Sequence, residues 1–234
     1  MSYSKLINLE EIKNKKVLFY DLETTGLVNT QRNIAPEECY PDYKDLTKYN
    51  TARIVSIGWL YIKEFNYDCE IKIDNISECI IKPNGFIIPS ESIKIHGITN
   101  ECAINNGIRL KKILKKIGKI IKSCDYIIGY NVYYDINILL SELHRKKRNL
   151  TINKILKLKE EKNIICIGQI ASMNAKPSGW LKRFNYQIPS QVNVYRQLFN
   201  EELENAHNAK SDVLGMIKII FWIYKNVLIK QNFF

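Results

Sequence analysis

No apolar run in the 234-residue sequence approaches the ~18–20 residues needed to cross a bilayer. The first residues, MSYSKLINLEEIKNKK, mix acids with bases and hold no apolar core, so they are not expected to act as a secretory leader. No repeat, low-complexity tract or Pro/Gly-rich linker divides the chain. A single domain over residues 1–234 is therefore expected, its motif-bearing core at about 16–225. Histidine is scarce, at three residues. None of the six cysteines (Cys39, Cys69, Cys79, Cys102, Cys124, Cys166) lies in a CxxC or beside a histidine. A zinc site needs clustered ligands, so none is indicated. Most of the cysteines sit in apolar stretches and read as small core residues of an intracellular protein, cytoplasmic or nuclear, in a reducing compartment.

Acids are also outnumbered. Against 35 Lys and Arg stand 24 Asp and Glu, a formal net charge of +11. Such a surplus favours polyanionic partners, although a chain rich in Ile, Asn and Lys together acquires it from composition alone. The run His144–Arg148 (HRKKR) reads in the same two ways, as a nuclear signal or as a solvated helix end. With 46% hydrophobic and 25% charged residues the chain is of ordinary globular type. Its length suffices to bury roughly 70–75% of the surface its unfolded form exposes, so no disulfide or structural metal is needed for a core.

The hydrophobic pattern places elements along the chain. Lys16–Asp21 (KVLFYD) is a short apolar run of buried-strand type. Residues 27–52 are polar, contain Pro36 and Pro41, and read as a long loop. Arg53–Ile62 and Glu70–Lys82 are β-branched and aromatic enough for strands. Leu110, Ile113, Leu114, Ile117, Ile120 and Ile121 fall at helical spacing with lysines between them. Tyr126–Tyr130 is a further strand, and Asp135–Arg145 a helix through Ile136, Leu139, Leu140 and Leu143. After a lysine-rich stretch, Ile164–Ile167 reads as a strand and Val192–Phe199 as a short helix. Ala209–Leu228 is an amphipathic helix through Val213, Met216, Ile217 and Ile220. Three strands followed by alternating strands and helices indicate an α/β mixed sheet flanked by helices.

Within this frame, Asp21 and Glu23 end the first strand. Residues i and i+2 of a strand share a face, so the two carboxylates converge, and two such anions repel unless a cation neutralises them. Asp135 follows the fourth strand in GYNVYYDINIL, where a helix-initiating acid is also reasonable. Asp212 begins the last helix, five residues after His207. Each has an ordinary surface or capping role open to it. Four acids and a histidine in these contexts and this order are not explained by five such coincidences.

The set resembles the DEDDh (DnaQ-like) 3′→5′ exonucleases, a family that includes polymerase-proofreading subunits and RNase T-like and TREX-like enzymes. The matching segments are Asp21-Leu22-Glu23-Thr24-Thr25-Gly26, then Asn131-Val132-Tyr133-Tyr134-Asp135, then His207 through Asp212, with Ile95-His96-Gly97-Ile98-Thr99 between. The resemblance implies an RNase H-like mixed sheet. It implies that Asp21, Glu23, Asp135 and Asp212 hold two divalent ions, Mg²⁺ or Mn²⁺, and that His207 is the general base. It also implies that Leu22, Thr24, Thr25, His96 and Asn131 meet the terminal nucleotide, His96 having a loop-structuring role as its alternative. The polar segment 27–52 is longer than this family usually has between its first two strands.

The chemistry agrees with the resemblance. Paired divalent ions stabilise the attacking and leaving oxygens of phosphodiester hydrolysis, which requires clustered carboxylates. A water must lose a proton near neutral pH, a range in which histidine works. Of the tyrosines flanking the second motif (Tyr126, Tyr130, Tyr133, Tyr134), some suit base stacking and most suit the scaffold. The implied activity is hydrolysis at 3′ ends, releasing nucleoside 5′-monophosphates, with single-stranded DNA favoured by the DLETTG and HGIT segments. An exoribonuclease and a catalytically inactive nucleic-acid-binding relative are the alternatives. No membrane partner is expected, and a polymerase or homodimer partner is left open.

Overall fold

The computed structural model describes residues 9–32, 34–174 and 188–228; part of the N-terminal stretch weighed above as a leader lies outside them. Six strands form one sheet: β1 (Val17–Thr24), β2 (Ile54–Ile62), β3 (Ser77–Lys82), β4 (Ile108–Arg109), β5 (Tyr126–Gly129) and β6 (Ile164–Cys166), in the order β4-β3-β2-β1-β5-β6. The pairs β1/β2 and β2/β3 are antiparallel, while β3/β4, β1/β5 and β5/β6 are parallel. All strands except β2 therefore run the same way and end at one edge. In α/β sheets ligands bind outside that edge.

Alternation along β1 splits the core into two layers. Leu18, Tyr20 and Leu22 pack under α3 (Leu110–Ser123), α4 (Val132–Arg145) and α5 (Asn149–Glu160). Val17 and Phe19 face α6 (Ile167–Asn174), α7 (Gln191–Phe199) and α8 (Ala209–Ile223), which ends in one π turn, Tyr224–Leu228. A strand covered on both sides reads as a continuous apolar run, which is why β1 stands out in the sequence. A smaller cluster around Val55, Ile88 and Ala103 seats two seven-residue helices, α1 (Ser90–His96) and α2 (Asn100–Asn106). All six cysteines are free, and no helix among the described residues is long and apolar enough to cross a membrane.

The mixed sheet flanked by helices is the expected architecture, with local departures. The strand expected over Glu70–Lys82 begins only at Ser77, because Asn75 Oδ1 takes the Lys72 amide at 2.8 Å and closes a 3₁₀ turn over Ile73–Asn75. The lysine-rich stretch after α4 is itself helical, burying Thr151, Ile152, Ile155 and Leu158 on one face. The segment 27–52 holds one 3₁₀ turn, Leu46–Tyr49, and packs along α4. There Arg145 donates to the Leu46 carbonyl at 3.0 Å and to Asn50 Oδ1 at 2.8 Å.

Candidate active site

Asp21 and Glu23 leave β1 on the α8 side, while Leu22 between them enters the opposite core. Asp212 comes from the first turn of α8, and two features seat that turn. Gly58 pairs with Asp21 in the β1–β2 register, and a Cβ on it would stand 2.3 Å from the Ala209 carbonyl oxygen. Only glycine admits the helix this closely. Asn208 caps α8, its Oδ1 accepting from the Lys210 and Ser211 amides at 3.1 Å each. Its Nδ2 donates to Glu78 Oε1 at 3.0 Å, and Ser56 Oγ donates to the same oxygen at 3.2 Å. The result is that one carboxylate oxygen each of Asp21, Glu23 and Asp212 lie within 4.8 Å of one another.

Asp135 lies outside that trio, buried in the first turn of α4 beyond Asn131, which takes a left-handed backbone (φ 53°). It is still close in electrostatic terms. Burial raises Asp21 well above the usual carboxylate range, and the charges of Asp135, Asp212 and Glu23 add to the effect. Asp135 is likewise raised well above its ordinary value, by burial and then by Glu23. Burial, with Asp212 and Glu78, pushes Glu23 up to about 8. Asp212 is raised to about 7 by burial, against the pull of the His207 amide, which donates to its Oδ2 at 3.1 Å. Among the described residues no Lys or Arg side chain pairs with any of the four. Tyr20, buried on β1, has no hydrogen-bond partner for its hydroxyl, and Asp135 and Asp21 are the charges that oppose its ionisation.

Three converging carboxylates with buried Asp135 close by, unpaired with any cation among the described residues, make an all-oxygen donor set. It fits hard divalent cations and does not fit a metal that seeks nitrogen or sulfur.

Two of the three histidines lie near this cluster. His207 is exposed and left-handed (φ 66°). His96 ends α1, half-buried, and its Nδ1 accepts from the Ile98 amide at 3.0 Å. That bond assigns the ring proton to Nε2, which has no partner. Burial lowers the His96 pKa, and the nearby His207 lowers it further.

The turn after β1 is held from three sides. Thr24 Oγ1, Tyr134 Oη and the Gly26 carbonyl form one hydrogen-bonded cluster, the two hydroxyls 2.6 Å apart and sharing their two protons among its contacts. Thr25 accepts from the Arg53 amide at 2.8 Å, donates through Oγ1 to the Thr51 carbonyl at 2.9 Å, and offers its own carbonyl to Ser92 Oγ at 2.7 Å. Thr25 thus braces the turn. The Asn131 side chain is half-buried and makes no cap bond to α4. Tyr126 and Tyr130 are buried scaffold, Tyr130 donating to the Pro189 carbonyl at 2.8 Å. Tyr40, from the long segment, packs its ring 6.3 Å from that of Tyr134 and lies near Asp135. Gly58, Glu78, Ser92, Tyr20 and Tyr40 were not singled out in the sequence. Of these, only Gly58 carried a signal, a glycine interrupting an apolar strand.

No protein-family model matches the sequence, and neither does any curated protein. Solved structures do. A zinc-bound complex of E. coli exonuclease I with single-stranded DNA superposes with a TM-score of 0.62 at 16% identity, over 94% of this chain and 43% of that one. The E. coli enzyme with a dA16 oligonucleotide gives 0.63 at 16%, over 94% and 42%. A moderately thermophilic exonuclease I from Methylocaldum szegediense gives 0.61 at 17%, again over 94% and 42%. The chain shares their RNase H-like fold and spans about 43% of the length of the first of them.

Proposed function

We propose that the chain is a metal-dependent 3′→5′ exonuclease of the DEDDh type that shortens single-stranded DNA and releases nucleoside 5′-monophosphates. The observation that carries this reading is the convergence of Asp21, Glu23 and Asp212 within 4.8 Å, beside buried Asp135, with no cationic side chain among the described residues paired to them. Asp21, Glu23, Asp135 and Asp212 are the residues to hold two divalent ions, Mg²⁺ or Mn²⁺. Bound there, such ions supply charge neutralisation and Lewis acidity to phosphate oxygens.

The remaining roles belong to the chain itself. His207, exposed at the rim and fixed to Asp212 through its backbone, takes the proton of the attacking water. His96 stands beside the Thr24 backbone, where its buried Nε2 backs the turn that would receive the terminal nucleotide. The Ser92–Thr25 bond holds α1 against the turn after β1, so Ile95 and His96, three and four residues on, share its site-facing side. Ile95 (59% exposed) and Leu27 (80% exposed) offer apolar surface for the terminal bases.

The preference for DNA draws on the resemblance of the first motif to proofreading and TREX-type enzymes. It is also supported by the likeness to exonuclease I structures that hold single-stranded DNA. The test is digestion of 3′- and 5′-labelled DNA and RNA oligonucleotides with Mg²⁺ or Mn²⁺. Stepwise loss from DNA 3′ ends is the expected result. Preferential trimming of RNA would reassign the substrate, and cutting of a circular single strand as the main activity would overturn the exonuclease reading.

A further inference from the structure

From Cys102 to Cys124 the chain contains no acid, yet it carries Arg109 and six lysines, Lys111, Lys112, Lys115, Lys116, Lys119 and Lys122. The lysines lie on α3, whose other face buries Ile113, Leu114, Ile117 and Ile121. Lys116 sits over the Trp59 ring at 4.7 Å. All six are exposed, and among the described residues none forms an ion pair. Like charges three and four residues apart on a helix repel. Here the pairs 111/115, 112/116 and 115/119 do so uncompensated, and a polyanion laid along the helix would relieve them.

The ridge starts at the edge that holds the carboxylates. Exposed Lys82 and Arg109 are partners in the β3/β4 register, two residues beyond Ile80, which is level with Glu23 through Ser56. Three strand spacings separate β1 from β4, about 14 Å. The 14 residues of α3 then run away from that edge for about 21 Å. The carboxylates face the α8 side of the sheet and α3 covers the other, so a strand reaching both rounds the sheet edge, a path of at least about ten nucleotides at a stacked rise of 3.4 Å per phosphate.

We propose that Lys82, Arg109 and the α3 lysines form a second nucleic-acid surface, which holds the backbone of a single strand upstream of the 3′ end in the acidic site. The position of that 3′ end rests on the exonuclease reading. The alternative occupant, an acidic peptide, is separated by the test.

The full chain and its K111E/K115E/K119E variant are titrated with 5′-labelled dT4 and dT16 in Ca²⁺ over a salt series, and dT4 hydrolysis is followed in Mg²⁺. The wild type should bind dT16 at least tenfold more tightly than dT4. The variant should lose that advantage, and its log–log salt slope should fall by about 2, at about 0.7 per phosphate contact. Hydrolysis of dT4 should be unchanged. A K111Q/K115Q/K119Q variant, which only removes charge, should move the same way by less and melt at a higher temperature than the wild type. An unchanged dT16 affinity and slope would overturn the proposal, as would capture of an Asp-rich peptide by the ridge with dT16 binding intact. Loss of dT4 hydrolysis in both variants would also overturn it. If the wild type cleaves nothing yet its dT16 binding depends on these lysines, the surface stands and the exonuclease reading falls.

Discussion

Gly58 and Ala209 meet where no side chain fits, the glycine's missing Cβ leaving room for the first backbone carbonyl of α8. Gly58 is also the register partner of Asp21, so this contact fixes how far Asp212 stands from β1. Gly58→Ala should therefore lift α8 off the sheet. The expected cost is about 1–3 kcal/mol, as for other overpacked sites, together with a weaker Mn²⁺-induced rise in melting temperature. A variant with wild-type metal response and turnover would show that the helix yields without moving Asp212.

His207 and Asp212 are joined by a backbone amide and not by the imidazole, which lets their roles be separated. His207→Ala keeps that bond. It should retain metal and strand binding while losing roughly 10²–10⁴-fold in rate, the scale of general-base loss. Added imidazole should restore part of it. Asp212→Ala should lose metal binding and turnover together. A rate within about twofold of wild type for His207→Ala, typical of exposed substitutions, would remove the histidine from the mechanism.

The crowded carboxyls make a pH prediction. Glu23 is held at about 8 against an ordinary 4.5, and Asp212 at about 7 against 3.8. A carboxyl raised by folding binds its proton more tightly in the native state. Its contribution to stability is then present at low pH and is lost as pH rises through the folded value. Without divalent ions, the melting temperature should fall between about pH 5 and pH 8 in a thermal-shift series with chelator. Mg²⁺ or Mn²⁺ should raise it more at pH 8 than at pH 5. A metal-free profile that climbs over this range would mean that the cluster is neutralised by some other group.

Glu142 is fully buried on α4 and bound by the Arg53 guanidinium, which also lies 4.8 Å from the Phe86 ring. Arg53 is the residue whose backbone clasps Thr25. Glu142→Ala leaves that cation without its partner and should cost roughly 3–5 kcal/mol. The double variant R53M/E142L should recover much of it. Urea denaturation measures both, and a loss below about 1 kcal/mol for Glu142→Ala would place the pair with exposed ion pairs.

The parts of this architecture legible in the sequence share a physical cause. β1 and β2 sit under helices on both faces, and α3, α4 and α8 turn long apolar stripes inward, so their periodicity survives in the residue order. The grouping of Asp21 with Glu23 follows from strand alternation alone. β4 is two residues long, and α1 and α2 have seven each, too short for a period to show. The Tyr20 hydroxyl, the Asn208–Glu78 bond and the packing of Tyr40 on Tyr134 are long-range contacts, which no local pattern encodes.

The seating of α8 on β1 also orders events in time. Asp21 and Asp212 are 212 − 21 = 191 residues apart, and at about 5–20 residues per second the ribosome needs roughly 10–40 s to pass from one to the other. Until then a nascent chain presents β1 without its last covering helix and its acidic trio short of a member. Docking of the last helix then completes the core and the acidic trio in one step.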